Sequence, residues 1–258
     1  MKLKVKQALR FAGSFLDLLT ILDHKLADNK NHIIKFDEFQ LREEYIHDSD
    51  TVVIYGTFLN SRDLYDDERV LLDRIETKFP VIKVANCSGE FFPSGWHIRR
   101  NIGRDLGLLK DILNLYRYSL VGKNIIWMNS SCIWDSDKII QIIESLNNSS
   151  RKVVSGLTDS WLGGYHLQTY FLHIDSRISD EVIEILLKTF NRNWRIKRTI
   201  VHRGERRLTS ALMNGQVEIQ AVFPANKVSP AEYLHVNTYT DQLKVLSDLG
   251  YPCKKRNL

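Results

Sequence analysis

Hydrophobic positions along this chain follow two alternating rhythms. Thr51–Phe58 (TVVIYGTF) is an apolar, β-branched and aromatic run, the pattern of a strand buried on both faces. Asp66–Lys78 then shifts to helical spacing, with Val70, Leu71 and Ile75 on one side. Val81–Ala85 reads as a second strand that ends in the turn-prone Asn86-Cys87-Ser88-Gly89. Leu106, Leu109, Leu113 and Tyr116 recur at helical spacing within Gly103–Tyr118. A strand at Asn124–Asn129, a helix at Ser136–Leu146 and a strand at Lys152–Gly156 follow, with a further strand at Gln168–Ile174. Helices are expected at Asp180–Asn191 and Leu208–Asn214, and a short strand at Gln216–Val222. This order predicts one α/β domain of Rossmann-like type over residues 49–258, with a mainly parallel central sheet flanked by helices. In such sheets ligands bind beyond the carboxyl ends of the strands, so the residues that follow each strand carry the functional interest.

Ahead of that domain, residues 1–48 read as a helical segment. Val5, Leu9, Ala12, Leu16 and Leu19 form one stripe, preceded by Lys2, Lys4, Lys6 and Arg10. Asp17 interrupts the apolar run, no small-x-small cleavage site follows, and the run is too short to span a bilayer. Two readings stay open: a helix packed on its own domain, or a basic helix resting on an anionic membrane surface. Composition changes this picture little. The 258 residues are 43% hydrophobic and 26% charged, enough apolar material for a core without a metal or disulfide staple. A formal charge of +5 suits an anionic partner without selecting one. No basic stripe with interleaved aromatics appears, which argues against nucleic acid. Cys87, Cys132 and Cys253 are odd in number and in no C-x-x-C spacing, which fits a reducing compartment and no zinc site.

Four segments carry candidate chemistry. In Arg99–Gly107 (RRNIGRDLG) a glycine-bearing turn leads into a helix whose first N–H groups and positive dipole end favour phosphate. Arg100 and Arg104 would add charge-assisted bonds, and Asp105 would hold a sugar hydroxyl or orient Arg104. A plain helix start with a structural Arg–Asp pair explains the same residues. Asn129-Ser130-Ser131 directly follows a strand, where many sugar-nucleotide transferases carry a metal-binding D-x-D triplet. Here the triplet has no carboxylate, which puts Mg²⁺ or Mn²⁺ binding in doubt, while Asp135 and Asp137 fall at the next helix start. Asp159 and Ser160 are expected just past a strand, and His166 and Gln168, two apart, would share one side of an extended segment. Finally, Glu205 follows Gly204 at a helix start, placed either to deprotonate an acceptor hydroxyl or to complement the helix dipole.

In order, these segments resemble the rhamnan synthesis F family of bacterial polysaccharide-synthesis proteins. The family pattern runs N-x-G-R-D-x-G, strand-N-[DS]-S, G-x-T-D-S, H-L-Q-[ST]-Y-F-L, an isolated Glu before a helix ending in Gly, and G-x-P-x-x-K-R. This chain has Asn101–Gly107, Asn129–Ser131, Gly156–Ser160, His166–Leu172, Glu205 with Gly215, and Gly250–Arg256. Cys253 stands where the family often has an aromatic residue. The resemblance implies a GT-A-like glycosyltransferase of the cytoplasm, at the inner face of the plasma membrane. It would move a sugar from dTDP-rhamnose or a UDP-hexose to a saccharide or lipid-linked oligosaccharide acceptor. On this reading Glu205 is the base, with Asp159 as second choice. Tyr55, Gly56, Asn101, Gly103, Arg104, Asp105, Asn129, Ser130, Ser131 and Lys255 face the donor, with Arg256 beside Lys255 at the departing diphosphate. Asp159, Ser160, His166 and Gln168 face the acceptor. A degenerate, non-catalytic sugar- or partner-binding module is the alternative.

Overall fold

The computed structural model describes residues 30–37, 43–59, 64–87, 94–194, 199–235 and 242–256, with a few single positions beside them. The expected stripe from Val5 to Leu16 lies outside the described residues. No helix among the described residues is long and apolar enough to cross a membrane.

Eleven strands are described: β1 (Ile33–Lys35), β2 (Thr51–Leu59), β3 (Val81–Cys87), β4 (His97–Arg100), β5 (Asn124–Asn129), β6 (Cys132–Trp134), β7 (Val153–Ser160), β8 (His166–Leu167), β9 (Phe171–Ile174), β10 (Glu218–Phe223) and β11 (Cys253–Lys255). The helices that bear on the site are α1 (Glu43–His47), α2 (Asp66–Glu76), α3 (Arg104–Leu115), α4 (Arg117–Leu120), α5 (Ser136–Asn147), α6 (Ser179–Thr189), α7 (Arg206–Asn214) and α8 (Ala225–Val228). The main sheet runs β1-β4-β3-β2-β5-β9-β7-β10, with β8 paired to β7. β4, β3, β2 and β5 are mutually parallel, and β10 is parallel to β7. β9 runs antiparallel to both β5 and β7, so β7 points the same way as β5. The result is an α/β fold with a mainly parallel, mixed central sheet flanked by helices.

Alternation along the strands builds two cores. Val52, Ile54, Ile125 and Trp127 face the layer of α3, α6 and α7, while Val53, Tyr55, Ile126 and Met128 face the layer of α2 and α5. Gly56 lets the first layer close. A Cβ there would come within 3.1 Å of Leu108 Cδ1 and 3.0 Å of Trp127 Cζ3, and closer still to Trp127 Cη2. Both faces of the central strands are therefore covered, as the unbroken apolar run of β2 requires.

The elements depart from the sequence expectation in five places. Within 1–48, expected to be helical, residues 33–35 form an antiparallel edge strand on β4. The helix expected over Gly103–Tyr118 breaks at Tyr116, whose backbone leaves the helical region before α4 begins. The strand expected at Lys152–Gly156 continues to Ser160, so Asp159 and Ser160 end a buried strand instead of opening a loop. The strand expected at Gln168–Ile174 starts only at Phe171, after a separate short β8, because residues 168–170 turn to bring β9 back antiparallel. The α7 helix starts earlier than Leu208 and is preceded by a wide π-type turn over Ile200–Glu205. Unanticipated too is the two-stranded ribbon of β6 and β11, which ties the chain's last described residues to the segment after β5.

Candidate functional site

Sheet order locates the cleft. From β2 the chain steps outward through β3 to β4, then returns through α3 to β5 on the opposite side of β2. The carboxyl ends of β2 and β5 therefore flank a topological switch point, the place where such sheets bind ligands. Ser130 N donates to Gly56 O at 2.9 Å, joining the two strand ends. Asn129 is held tightly there. Its Oδ1 accepts from Ser131 N at 3.1 Å and Ser131 Oγ at 2.6 Å, and its Nδ2 donates to Asp105 Oδ2 at 3.1 Å. The N-S-S triplet is thus an Asx-type turn whose amide also fixes a carboxylate.

That carboxylate belongs to the first turn of α3. Gly103, at φ +83°, has no room for a side chain, since a Cβ would meet Asn193 Oδ1 at 2.9 Å and Gly107 Cα at 3.2 Å. Arg104 follows at φ 50°, an uncommon conformation for a residue with a Cβ. No side chain caps the helix. Its leading N–H groups sit beside exposed Asp105 and exposed Arg104, at the switch point. Beneath the turn lies a buried network missed at the sequence level. Arg99 donates from Nε to Asp111 Oδ2 at 3.0 Å, from Nη1 to Asn86 Oδ1 at 2.7 Å and from Nη2 to Asn193 Oδ1 at 3.5 Å. Both members of the Arg99–Asp111 pair are inaccessible to solvent. Gly107 makes room for it, as a Cβ there would approach Arg99 Nη2 and Ile102 O at 2.8 Å.

Glu205 closes the same neighbourhood. It is the last residue of the π-type turn, and Gly204 before it lies flush on Leu106 of α3 and on Trp194. Thr169 Oγ1 donates to Glu205 Oε1 at 2.9 Å, and Thr169 O accepts from Trp127 Nε1 at 2.8 Å. Asn129 N, on its side, donates to Tyr170 O at 3.2 Å. The segment 168–170 therefore stands between the end of β5 and Glu205 and is bonded to both. Thr169 sits within the sequence run that drew attention to His166 and Gln168, yet a threonine beside two aromatics gives no signal of its own.

Other expected site residues are engaged elsewhere. Asp159 Oδ1 accepts from Ala225 N at 2.6 Å, and the Tyr165 hydroxyl bonds to the same carboxylate. Burial pushes the Asp159 carboxyl up, against the lowering effect of those bonds. Ser160 Oγ accepts from Leu162 N at 3.2 Å and so caps the turn after β7. His166 Nδ1 bonds to Gly164 O at 2.8 Å; a carbonyl only accepts, so Nδ1 carries the proton. Gln168 accepts from Thr158 Oγ1 at 2.6 Å and donates to Asn237 Oδ1 at 3.0 Å. Tyr55 lies wholly buried in the α2 layer and donates to Glu68 Oε1 at 2.7 Å; burial, then the Glu68 charge, raises its phenol well above the usual range. Its side chain is turned away from the Asn129 face. Asn101 is an exposed bend residue, and Arg100 is exposed as well.

The basic tail splits in two. Lys255 is exposed on β11, opposite Cys132. Arg256 is buried and structural: its N donates to Ser131 O at 2.8 Å, its Nε to Ser130 O at 3.1 Å, and its guanidinium forms a fork with Asp67. Burial works against its charge, but the Asp67 hydrogen bonds and charge prevail and hold its pKa above the usual value. The final motif thus clamps the backbone of the N-S-S turn.

Compared with known proteins, the chain matches no family model and no curated protein. Among the described residues, no group of three or more His, Cys, Asp or Glu side chains is placed to hold a metal ion. The described side chains at the switch point supply two carboxylates, Asp105 and Glu205, each already carrying a hydrogen bond from a neighbour. The Asn129-Ser130-Ser131 triplet itself brings no carboxylate to the place of a D-x-D site.

Proposed function

We propose that this chain is a GT-A-like glycosyltransferase of the kind its motifs resemble, acting in bacterial polysaccharide synthesis at the cytoplasmic face of the membrane. One observation carries the reading. Five separated motifs meet at the switch point through direct contacts: Asp105 with Asn129, Thr169 with Glu205, Gly204 with Leu106, and Arg256 with Ser130 and Ser131. Donor diphosphate would lie on the open amino end of α3, where the N–H groups and Arg104 complement its charge. Asp105 and Asn129 would hold the ribose or donor sugar.

Glu205 then acts as base. The acceptor hydroxyl attacks the anomeric carbon as its proton passes to the Glu205 carboxylate. The new C–O bond forms while the bond to the diphosphate oxygen breaks, and its electron pair leaves with the nucleotide. A single displacement of this kind inverts the anomeric centre. The Thr169 hydroxyl favours the charged carboxylate and fixes its direction. The structural use of Asp159 at Ala225 leaves Glu205 as the better placed of the two expected acids.

A screen of donor hydrolysis across dTDP- and UDP-sugars, with and without Mg²⁺ or Mn²⁺, tests the reading. One donor should be hydrolysed, and Glu205→Gln should abolish it. Binding of a nucleotide sugar without turnover under any condition would instead favour a non-catalytic sugar-binding module.

A further inference from the structure

All five tryptophans of the chain are described, and they divide sharply. Trp96, Trp127, Trp134 and Trp194 are buried, whereas Trp161 is 38% exposed. Trp161 alone among them offers part of its indole to a ligand from solvent. Trp161 directly follows β7, at the same carboxyl end of the sheet as Asn129. Its orientation is set by its neighbours. The Tyr165 ring lies 4.8 Å away at 51°, and the Tyr233 ring meets it edge-on at 5.6 Å and 85°.

The turn that carries Trp161 is anchored to the helix start that carries Glu205. Arg206 Nη2 donates to Leu162 O at 2.8 Å, and a Cβ on Gly163 would collide with the same guanidinium. Leu167 N donates to Thr209 Oγ1 at 3.0 Å, fixing the returning strand to α7. Gly164 N closes the turn on Trp161 O at 3.0 Å. The indole is therefore a fixed aromatic face beside α7, and not a side chain on a loose loop. Around it stand polar groups, the Arg206 guanidinium and the Tyr165 hydroxyl that bonds to Asp159.

We propose that Trp161, framed by Tyr165 and Tyr233, is the platform on which a pyranose ring of the acceptor saccharide stacks. A pyranose presents an apolar C–H face and a rim of hydroxyls. It matches one fixed aromatic face with hydrogen-bonding groups at its edge. A protein partner would need a far wider apolar field, on the order of 1,000 Å². The proposal rests on the glycosyltransferase reading for the word acceptor, but its test needs no turnover.

Because the other tryptophans are buried, saccharide at this site should change the emission of Trp161 selectively. Methyl α-L-rhamnopyranoside, methyl β-D-galactopyranoside and a rhamnose trisaccharide are titrated against the full chain. Fluorescence and saturation-transfer NMR follow binding. One of them should bind saturably, with its ring C–H protons receiving the strongest transfer. Trp161→Ala should weaken that binding about tenfold or more, and Trp161→Phe should weaken it less. Urea midpoints equal to wild type show that both variants are folded. No saccharide binding, or equal binding by Trp161→Ala, overturns the platform. The donor-hydrolysis screen, which contains no acceptor, reports separately on the transferase reading.

Discussion

Gly56→Ala tests the packing that carries the site. In the wild type, Gly56 lies under the edge of the fully buried Trp127 ring, with Leu108 of α3 beside it. The added methyl would sit 3.0 Å from Cζ3 and 3.1 Å from Leu108 Cδ1, and closer to Cη2, against an ordinary carbon–carbon separation of about 3.5–4.0 Å. Trp127 cannot swing aside freely, because its Nε1 donates to Thr169 O at 2.8 Å. Overpacking of this kind costs about 1–3 kcal/mol, and losing the indole hydrogen bond adds about 1 kcal/mol. Removing a glycine from a strand returns about 0.5–1 kcal/mol. The net expectation is a loss of roughly 2 kcal/mol. Urea unfolding followed by far-UV circular dichroism measures it, as a lower midpoint with an unchanged slope. Trp127→Phe should destabilise less in the Gly56→Ala background than alone, because the smaller ring relieves the clash. A Gly56→Ala protein as stable as wild type would refute the packing argument, and with it the link from Trp127 through Thr169 to Glu205.

Three further outcomes follow from the same structure. Burial pushes His97 and His173 down from 6.5 to about 4, with nearby Asp37 and Asp175 opposing only weakly. Each is neutral in the fold and protonates more readily when unfolded. Their contribution is therefore complete above about pH 6.5 and lost as pH falls toward 4, about 3 kcal/mol apiece, and a pH series of urea midpoints measures it. His97→Gln should flatten part of that slope. Asp111→Asn leaves the buried Arg99 charge short of its partner and should cost about 3–5 kcal/mol in thermal or urea unfolding, whereas Arg99→Met with Asp111→Leu should recover much of the loss. Thr169→Val removes the hydroxyl that holds the Glu205 carboxylate in place. The transfer rate should fall about tenfold with donor Kd little changed, and stability should change by about 1 kcal/mol or less.

Period and turn chemistry made the central layers legible. The unbroken apolar run of β2 and the stripe Leu106, Leu109 and Leu113 of α3 are local signals, and both elements form where those residues stand. The antiparallel turn of β9 was not legible, because Phe171–Ile174 is buried on both faces and direction is set by pairing with β5 and β7. Asp159 shows the same limit at the site. As a sequence feature it is an acid after a strand, while in the fold its carboxylate holds the backbone of Ala225. In the sequence Arg256 is a tail cation suited to a leaving diphosphate, but its partners Asp67 and Ser130 lie 189 and 126 residues away, beyond any local pattern. Gly103, Asp105, Asn129 and Glu205 were legible as separate motifs. Their joining depended on Thr169, Gly204 and Leu106, none of which carries a chemical signature.

The central claim is that Glu205, Asp105 and Asn129 serve one sugar-transfer site. It is tested most directly by measuring donor binding and sugar transfer together in wild type and Glu205→Gln. The account predicts that the variant still binds the nucleotide sugar, with Kd within about threefold of wild type, while transfer falls by about 10²–10⁴, the range expected for loss of a general base. Undiminished transfer by Glu205→Gln, or a wild-type chain that binds no nucleotide sugar, would contradict it.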